Sequence, residues 1–389
     1  MKSLRILVGA DVPPDPNSGA AGTVYHTSAA LRELGHEVDE IWTDDLPRHI
    51  RHGNLHYLLE LPRCYRNAVR SKVAEKNYDV IQLSQPHAWL AAREHRQLRR
   101  HGIFVIRSHG LEQRVDEDVR RYGRPDAGKR WPKRLVSKGV SRLLRRHQSL
   151  AVRYADLMIV PCHDDRDYLV NEMSADPRRV SVIRHGATQH FIDEPLRPFS
   201  KARWKKMLYV GQFAYIKGPH VLARVAQSVL RAHSDVSLTW VCGQSHHQSV
   251  RALLDPTIAS RVQLEDWRPQ DKLMDLYDEH GIFLFPSLAE GAGKASVEAM
   301  TRGMVVIATR TSGMREAIDH NRSGLLCDAG NAESFARATS RALGDLDLCQ
   351  SLAIAARESS IAYTWKRCAE HAVDFYHTLL HRRSFDEVE

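Results

Sequence analysis

Twelve short apolar runs, rich in Val, Ile, Leu and Phe, recur along the 389 residues, and helix-like stretches separate them. This alternation is the pattern of a doubly wound parallel sheet, because parallel strands need long crossover connections and are buried on both faces. In the first half the runs are Ile6–Val8, Val38–Trp42, Val80–Leu83, Phe104–Ile106, Leu157–Val160 and Val180–Ile183. The stretch Phe191–Ser200, "FIDEPLRPFS", holds two prolines and no apolar period, so it is expected to be a linker. The alternation then restarts with Met207–Val210, Leu238–Val241, Val262–Leu264, Ile282–Phe285, Val305–Ala308 and Leu325–Cys327. The chain is too long for one ordinary core and suits two domains of roughly 150–200 residues. The expected class is α/β: two Rossmann-like domains in tandem, residues 1–193 and 201–360, facing each other across a cleft. In such sheets ligands bind at the carboxyl ends of strands.

Composition removes several alternatives. Apolar residues make up 43% and charged residues 26%, as in soluble globular proteins. No apolar run approaches the ~18 residues of a membrane span. The opening "MKSLRILVGA" has too short an apolar core for a signal peptide and is predicted to be the first strand. Six scattered cysteines without C-x-x-C spacing argue against a zinc site or a disulfide framework and for a reducing cytoplasm. No G-x-G-x-x-G follows the first strand, where the loop runs Gly9-Ala-Asp-Val-Pro-Pro, so a dinucleotide oxidoreductase is disfavoured.

The chemistry concentrates in "PSLAEGAGKASVEAM", Pro286–Met300. A buried strand is expected to end at Phe285, a loop to span Pro286–Ala292, and a helix to cover Lys294–Arg302. Glycines 291 and 293 let backbone approach a ligand, and the helix start directs amide donors and partial positive charge outward, which suits phosphate. Glu298, one turn into the helix, could accept two hydrogen bonds from a ribose diol, and Glu290 would lie nearer whatever extends beyond the phosphates. Two solvated glutamates flanking a helix start are the alternative for this stretch alone. A second turn, "YVGQFAYIKG" over Tyr209–Gly218, also leaves a strand through glycine and offers Lys217 before another helix.

Together these segments resemble the retaining glycosyltransferases of family 4, which have the GT-B fold of two facing Rossmann-like domains. The family's Glu-x7-Glu signature matches Glu290 and Glu298, and its Gly-Arg-x4-Lys-Gly element matches Gly211, Lys217 and Gly218. Fainter echoes run along most of the chain: "SGAAGTVYHTSAALRELGHEV", "IRSHG", "ADLMIVPCHDD", "VIRHGATQHF" and "TSGMREAIDHNRSGLLCD". "YTWKRCAEHAVDFYHTLL" resembles the terminal helix that crosses back to the first domain, here within 361–389. Departures are Gln212 in place of the usual arginine, His185 and Thr188 in place of Asn and Asp, and Ala292 in place of a frequent aromatic. Arg184 or Lys294 is a candidate compensating cation.

The resemblance implies transfer of a sugar from a nucleoside diphosphate sugar to an acceptor hydroxyl of a glycan, glycolipid or small molecule, with retained anomeric configuration. Lys217, Glu290 and His109 are the expected catalytic residues, with His109 bordering the transferred sugar. Donor binding is expected from Gly19, Gly22, Gly211, Gln212, Lys217, Gly291, Gly293, Lys294, Ala295 and Glu298. No metal and no cofactor are expected: no Asp-x-Asp metal motif of the kind seen in metal-dependent transferases presents itself, and the resembled family generally does without one. Asp11, Asp15 and Asp116 are conceivable acids without evident pairing. A sugar-nucleotide epimerase and a non-catalytic nucleotide-sugar-binding protein of the same fold remain alternatives.

The net charge of +9 has one source: eleven Lys/Arg stand against one acid, Asp126, between Arg120 and Arg146. From Arg134 onward, Val136, Val140, Leu143, Leu144 and His147 share a helical face, opposite Arg134, Lys138, Arg142 and Arg145. Such a helix suits an anionic membrane surface, or else packs its apolar face on its own domain. No aromatic platform accompanies the charge, which disfavours nucleic acid. The expected location is cytoplasmic, peripheral on the inner face of the membrane where this helix docks, with a glycan or lipid-linked acceptor.

Overall fold

The computed structural model describes residues 2–122, 131–187 and 189–386, and their side chains except those of 131–138, 271 and 384–386. All twelve apolar runs form strands: β1 Arg5–Gly9, β2 Glu37–Ile41, β3 Val80–Ser84, β4 Ile103–Arg107, β5 Leu157–Val160, β6 Val180–Val182, β7 Lys206–Val210, β8 Ser237–Val241, β9 Val262–Glu265, β10 Ile282–Phe285, β11 Val305–Thr309 and β12 Leu325–Cys327. They build two six-stranded sheets, ordered β2-β1-β3-β4-β5-β6 and β12-β11-β10-β7-β8-β9. Every strand pairing is parallel.

The strand orders locate the functional ends. In the first sheet the chain passes from β1 to β2 and then returns to place β3 on the other side of β1. In the second it runs β7, β8, β9 and then returns to place β10 beside β7, with Ile282 opposite Met207 and Phe283 opposite Leu208. At each reversal the flanking loops diverge to opposite faces and leave a crevice beyond the strands' carboxyl ends.

Contacts divide the chain into two compact units: Met1–Asp116, Asp126–His185 and Trp365–Glu389 form the first, and Glu117–Pro125 and Gly186–Thr364 the second. In the first unit, alternate strand residues feed two cores. Leu7, Ile81, Leu83, Phe104 and Ile106 pack on one face, and Ile6, Val8, Val80, Ile103 and Val105 on the other. The second face is covered by the helix Trp365–Asp386 through Trp365, Ala369, Ala372, Val373 and Tyr376. Each such apolar side chain contributes roughly 1.5–3 kcal/mol on burial. The buried Tyr376 hydroxyl donates to Gln82 Oε1 at 2.6 Å, which satisfies the two polar groups.

Two expectations are corrected. Phe191, at the start of the expected linker, lies in the helix Gln189–Asp193 and is fully buried in the second unit's core. The buried guanidinium of Arg302 holds that segment by donating to the carbonyls of Phe191, Glu194 and Pro195, while Asp278 neutralises it at 2.7 Å. A segment so tied is part of the second unit's fold. The basic stretch does form a helix, Trp131–Tyr154, but its presumed single apolar face divides. His147 is buried against His87 and Trp89, whereas Leu143 is 41% exposed. Arg142 and Arg145 are exposed; the side chains of Arg134, Val136 and Lys138 lie outside the described residues.

Candidate active site

In the second unit both glycine turns meet at the β7/β10 reversal. Gly218 adopts φ +67°, and a Cβ there would lie 2.2 Å from the Pro286 carbonyl oxygen. Only glycine lets the β7 turn press against the β10 loop this closely. The Leu288 amide donates to the Ile216 carbonyl at 2.7 Å and fastens the two loops. Lys217 is thereby delivered to Glu290, with Nζ 2.5 Å from Oε2, and lies 5.7 Å over the Phe285 ring. Ser287 Oγ donates to the same Glu290 oxygen at 3.4 Å.

Gly293, at φ +63°, caps the helix Lys294–Thr301. Its carbonyl accepts from the amides of Ser296 and Val297, and the amides of Lys294 and Ala295 stand at the helix's open end. No acidic residue lies in that first turn, so the positive end of the helix dipole is unopposed there. Gly291 is buried just ahead of it. Glu298 is 3% exposed and accepts from the Tyr277 hydroxyl at 3.1 Å, with Gln270 Nε2 at 3.5 Å and Lys294 Nζ at 3.7 Å from its other oxygen. Burial raises its pKa, and Lys294 and Tyr277 pull it the other way. Lys294 thus lies beside Glu298, as Lys217 lies beside Glu290. Gln212 is exposed beside Gly211, and Arg184 belongs to the first unit.

The remaining expected residues lie in the first unit. Gly19 is the residue before the helix Ala20–Glu33, and Gly22 sits buried inside its first turn. That turn also lacks acidic residues. His109 follows β4, with Nε2 3.3 Å from Ser84 Oγ and its ring 6.0 Å from that of His185. Burial, then the charge of Arg107, lowers its pKa to about 3, so the imidazole is neutral near pH 7. Thr188 lies outside the described residues.

Beside His109, at the β1/β3 reversal, is a cavity of about 240 Å³. Its polar lining comes from Asp11, Asn54, Ser84, Gln85, His87 and Glu112, and its apolar walls from Tyr57, Leu58, Leu61, Tyr65, Val140 and Leu144. Sequence reasoning named Asp11 only as a conceivable acid and missed most of the others. One signal was available: Gln85 stands between a strand and Pro86, and it adopts φ +67°. Such strain in a non-glycine residue is held by its surroundings and clusters at functional sites. Here the Arg107 carbonyl accepts the Gln85 amide at 2.9 Å. Of the other two conceivable acids, Asp116 is exposed on the helix Glu112–Arg121, and Asp15 organises the Pro13–Asn17 turn by accepting from the Asn17 amide.

Comparison with known proteins supplies the lineage. The family model described as Glycosyltransferase Family 4 matches residues 17–191, and that described as Glycosyl transferases group 1 matches residues 204–345. The chain belongs to glycosyltransferase family 4.

Among relatives, a D-inositol 3-phosphate glycosyltransferase from Corynebacterium diphtheriae is 29% identical over 238 residues, 57% of this chain and 56% of that protein. One from Corynebacterium urealyticum is 26% identical over 242 residues, 58% of this chain and 57% of its own length. The chain thus spans little more than half the length of the curated relatives it matches. Among solved structures, sucrose-phosphate synthase from Thermosynechococcus elongatus matches with TM-score 0.76 at 20% identity, over 97% of this chain and 100% of that one. Anabaena Alr3699/HepE in complex with UDP and glucose matches with TM-score 0.67 at 16% identity, over 95% and 98%. At these identities the structural likeness speaks for the fold, which is GT-B in this family 4 member. Among the described residues no group of three His, Cys, Asp or Glu is placed to hold a metal ion, and no helix is long and apolar enough to cross a membrane.

Proposed function

We propose that this family 4 chain transfers a sugar from a nucleoside diphosphate sugar to an acceptor hydroxyl, with retention of anomeric configuration. One observation carries the reading: two glycine turns, with Lys217 and the open amides of Lys294 and Ala295, converge at the β7/β10 reversal. Breaking the sugar C–O bond builds negative charge on the leaving phosphate. Lys217 and the preorganised amides of the Gly291–Ala295 turn would stabilise that charge. Glu298 would take the ribose diol, and Glu290, already paired with Lys217, the donor sugar's hydroxyls. Gln212 would donate a neutral hydrogen bond to phosphate, and Gly19 with Gly22 would offer further helix-start amides. The acceptor would be held in the first unit's cavity, with neutral His109 beside the transferred sugar.

The relatives named for D-inositol 3-phosphate and the similar structure holding UDP and glucose agree with a nucleotide-sugar donor and a small hydroxylated acceptor. A thermal-shift screen against UDP-, GDP-, ADP- and TDP-sugars tests the donor, since bound ligand raises apparent stability by mass action. No shift with any of them counts against the reading. Activity is expected to persist in excess EDTA; loss recovered by Mg²⁺ or Mn²⁺ would contradict phosphate stabilisation by lysine and amides alone. The exposed Arg142 and Arg145 support a peripheral membrane contact by their helix. Co-sedimentation with phosphatidylglycerol vesicles, lost in high salt or when Arg134, Lys138, Arg142 and Arg145 become serine, tests it.

A second reading, a non-catalytic nucleotide-sugar-binding protein, is favoured by the missing cation at Gln212 and by the neutralisation of Lys217. Tight donor binding without turnover against any acceptor would select it.

A further inference from the structure

At the amino ends of β4, β5 and β6, two open cavities of about 560 and 450 Å³ adjoin and share Arg96, Asp176 and Arg179. Ile103 begins β4, Asp156 precedes β5 and Arg179 precedes β6. The crevice at the β1/β3 reversal lies beyond the other, carboxyl ends of the same sheet. Six arginines line this groove, Arg96, Arg153, Arg178, Arg179, Arg382 and Arg383, against two acids, Asp156 and Asp176. All of them belong to the first unit. They gather from the ends of the helices Trp89–Gln97, Trp131–Tyr154 and Trp365–Asp386 and from the turn Pro177–Arg179.

Part of this charge is structural. Arg96 Nη1 donates to the Arg153 carbonyl at 2.8 Å, Arg383 Nη2 to the Arg100 carbonyl at 2.9 Å, and Arg179 Nε to the Asp156 carbonyl at 3.3 Å. Each such bond uses one of a guanidinium's five N–H donors. The two acids are committed as well. Asp176 accepts from Arg178 Nη2 at 2.8 Å and from its Nε at 3.1 Å. Asp156 accepts from the Phe104 amide at 2.8 Å, with Arg383 Nη1 3.7 Å away. Among the described residues neither carboxylate stands within ion-pair reach of Arg96, Arg153, Arg179 or Arg382. Burial lowers the pKa of the half-buried Arg179, Asp156 pulls it the other way, and the charge of Arg96 lowers it again. Like charges held together and only partly compensated are relieved by an anion. The helix ends bring partial negative charge, roughly half an elementary charge each, which the uncommitted guanidiniums outweigh.

Both cavities fall within the roughly 300–1,000 Å³ of small-ligand sites. The planar fork of a guanidinium matches phosphoryl oxygens two at a time, which a lysine's point charge does not. Val152 and Met173 on one side and Leu379 on the other add apolar surface for a carbon skeleton. We propose that this groove binds a small phosphorylated molecule whose phosphoryl oxygens meet Arg96 and Arg179, with Arg153 and Arg382 flanking them. Lying at the opposite end of the sheet from the crevice, it is a ligand site separate from those assigned to donor and acceptor. The inference does not rest on that assignment.

Calorimetry of the full chain with pyrophosphate at pH 7.5 tests it, in enough salt, about 0.15 M, to screen attraction by exposed charge alone. The wild type should bind, and Arg96→Gln and Arg382→Gln should each raise the Kd at least about tenfold. Arg96 and Arg382 are exposed, so both variants should fold. Lys217→Ala should leave this affinity unchanged. Binding that Arg96→Gln and Arg382→Gln both spare, whether or not Lys217→Ala abolishes it, puts the anion elsewhere and overturns the proposal. No binding by the wild type overturns it too, whether solvent supplies the counter-charge or Asp386, Glu387 and Glu389, whose side chains lie outside the described residues. Adsorption to phosphatidylglycerol vesicles that falls in Arg153→Glu and Arg382→Glu, without pyrophosphate binding, would make the groove a membrane face instead of a site for a small ligand.

Discussion

The two strand reversals do the same topological job with opposite materials. At β7/β10 the crevice is built from backbone: Gly218 and Gly293 in left-handed conformation, a helix start, and charges already paired as Lys217–Glu290 and Lys294–Glu298. At β1/β3 it is built from side chains of six separate stretches of chain, with aromatic and aliphatic walls and imidazoles held neutral. Phosphate needs a fixed array of N–H donors, which one turn and one helix start can supply. A ring needs a shaped wall, which no short segment can supply alone.

The contrast breaks most sharply at Lys217. If the β7/β10 crevice stabilises a leaving phosphate, Lys217→Ala should lower kcat/KM about a hundredfold or more. Gln212→Arg should leave activity intact or raise it. Near-normal turnover of Lys217→Ala would place the phosphate elsewhere.

The next effect is on donor affinity. Glu298→Ala removes charge-assisted hydrogen bonds worth ~1.5–3 kcal/mol each, so the donor Kd should rise at least roughly tenfold in calorimetry. Because Glu298 is buried against Tyr277, some stability should be lost as well. Glu298→Gln keeps the shape and serves as the control. A variant that loses stability while donor affinity stands would make Glu298 purely a core residue.

On the other side, Asp11→Asn exchanges a charged acceptor for a neutral one. The difference is ~1 kcal/mol, so kcat/KM for the acceptor should fall roughly fivefold with donor Kd unchanged. Movement of both constants together would mean that the two reversals are not functionally separate.

The smallest effect is on stability against pH. His87 has its folded pKa lowered to about 3, so below the ordinary value near 6.5 the unfolded chain takes up a proton that the native state does not. The stability contributed by the neutral native form is therefore complete above pH 6.5 and is lost progressively as pH falls toward 3. Between pH 7 and 5.5 the loss is ~1 kcal/mol for this residue. The decrease should be visible in urea unfolding and should shrink in His87→Gln. An imidazole signal of His87 that titrates near 6.5 in the folded protein would refute the neutral cavity.

All twelve strands were legible in advance because a strand buried on both faces must be apolar, and the crossover helices between them keep their own period. The turn at Gly211–Gly218 and the stretch Pro286–Met300 were legible for a related reason: a left-handed glycine and the helix start that follows it are encoded by neighbouring residues. What only tertiary structure decided is which strands lie adjacent, and therefore that those two turns meet. It also decided that Lys217 is neutralised by Glu290, 73 positions away, and that Phe191 belongs to a core and not to a linker. The cavity beside His109 joins Asp11, Asn54, Tyr57, Gln85 and Leu144. Their separation along the chain leaves no local pattern, since side-chain convergence is set by packing and carries no period of its own.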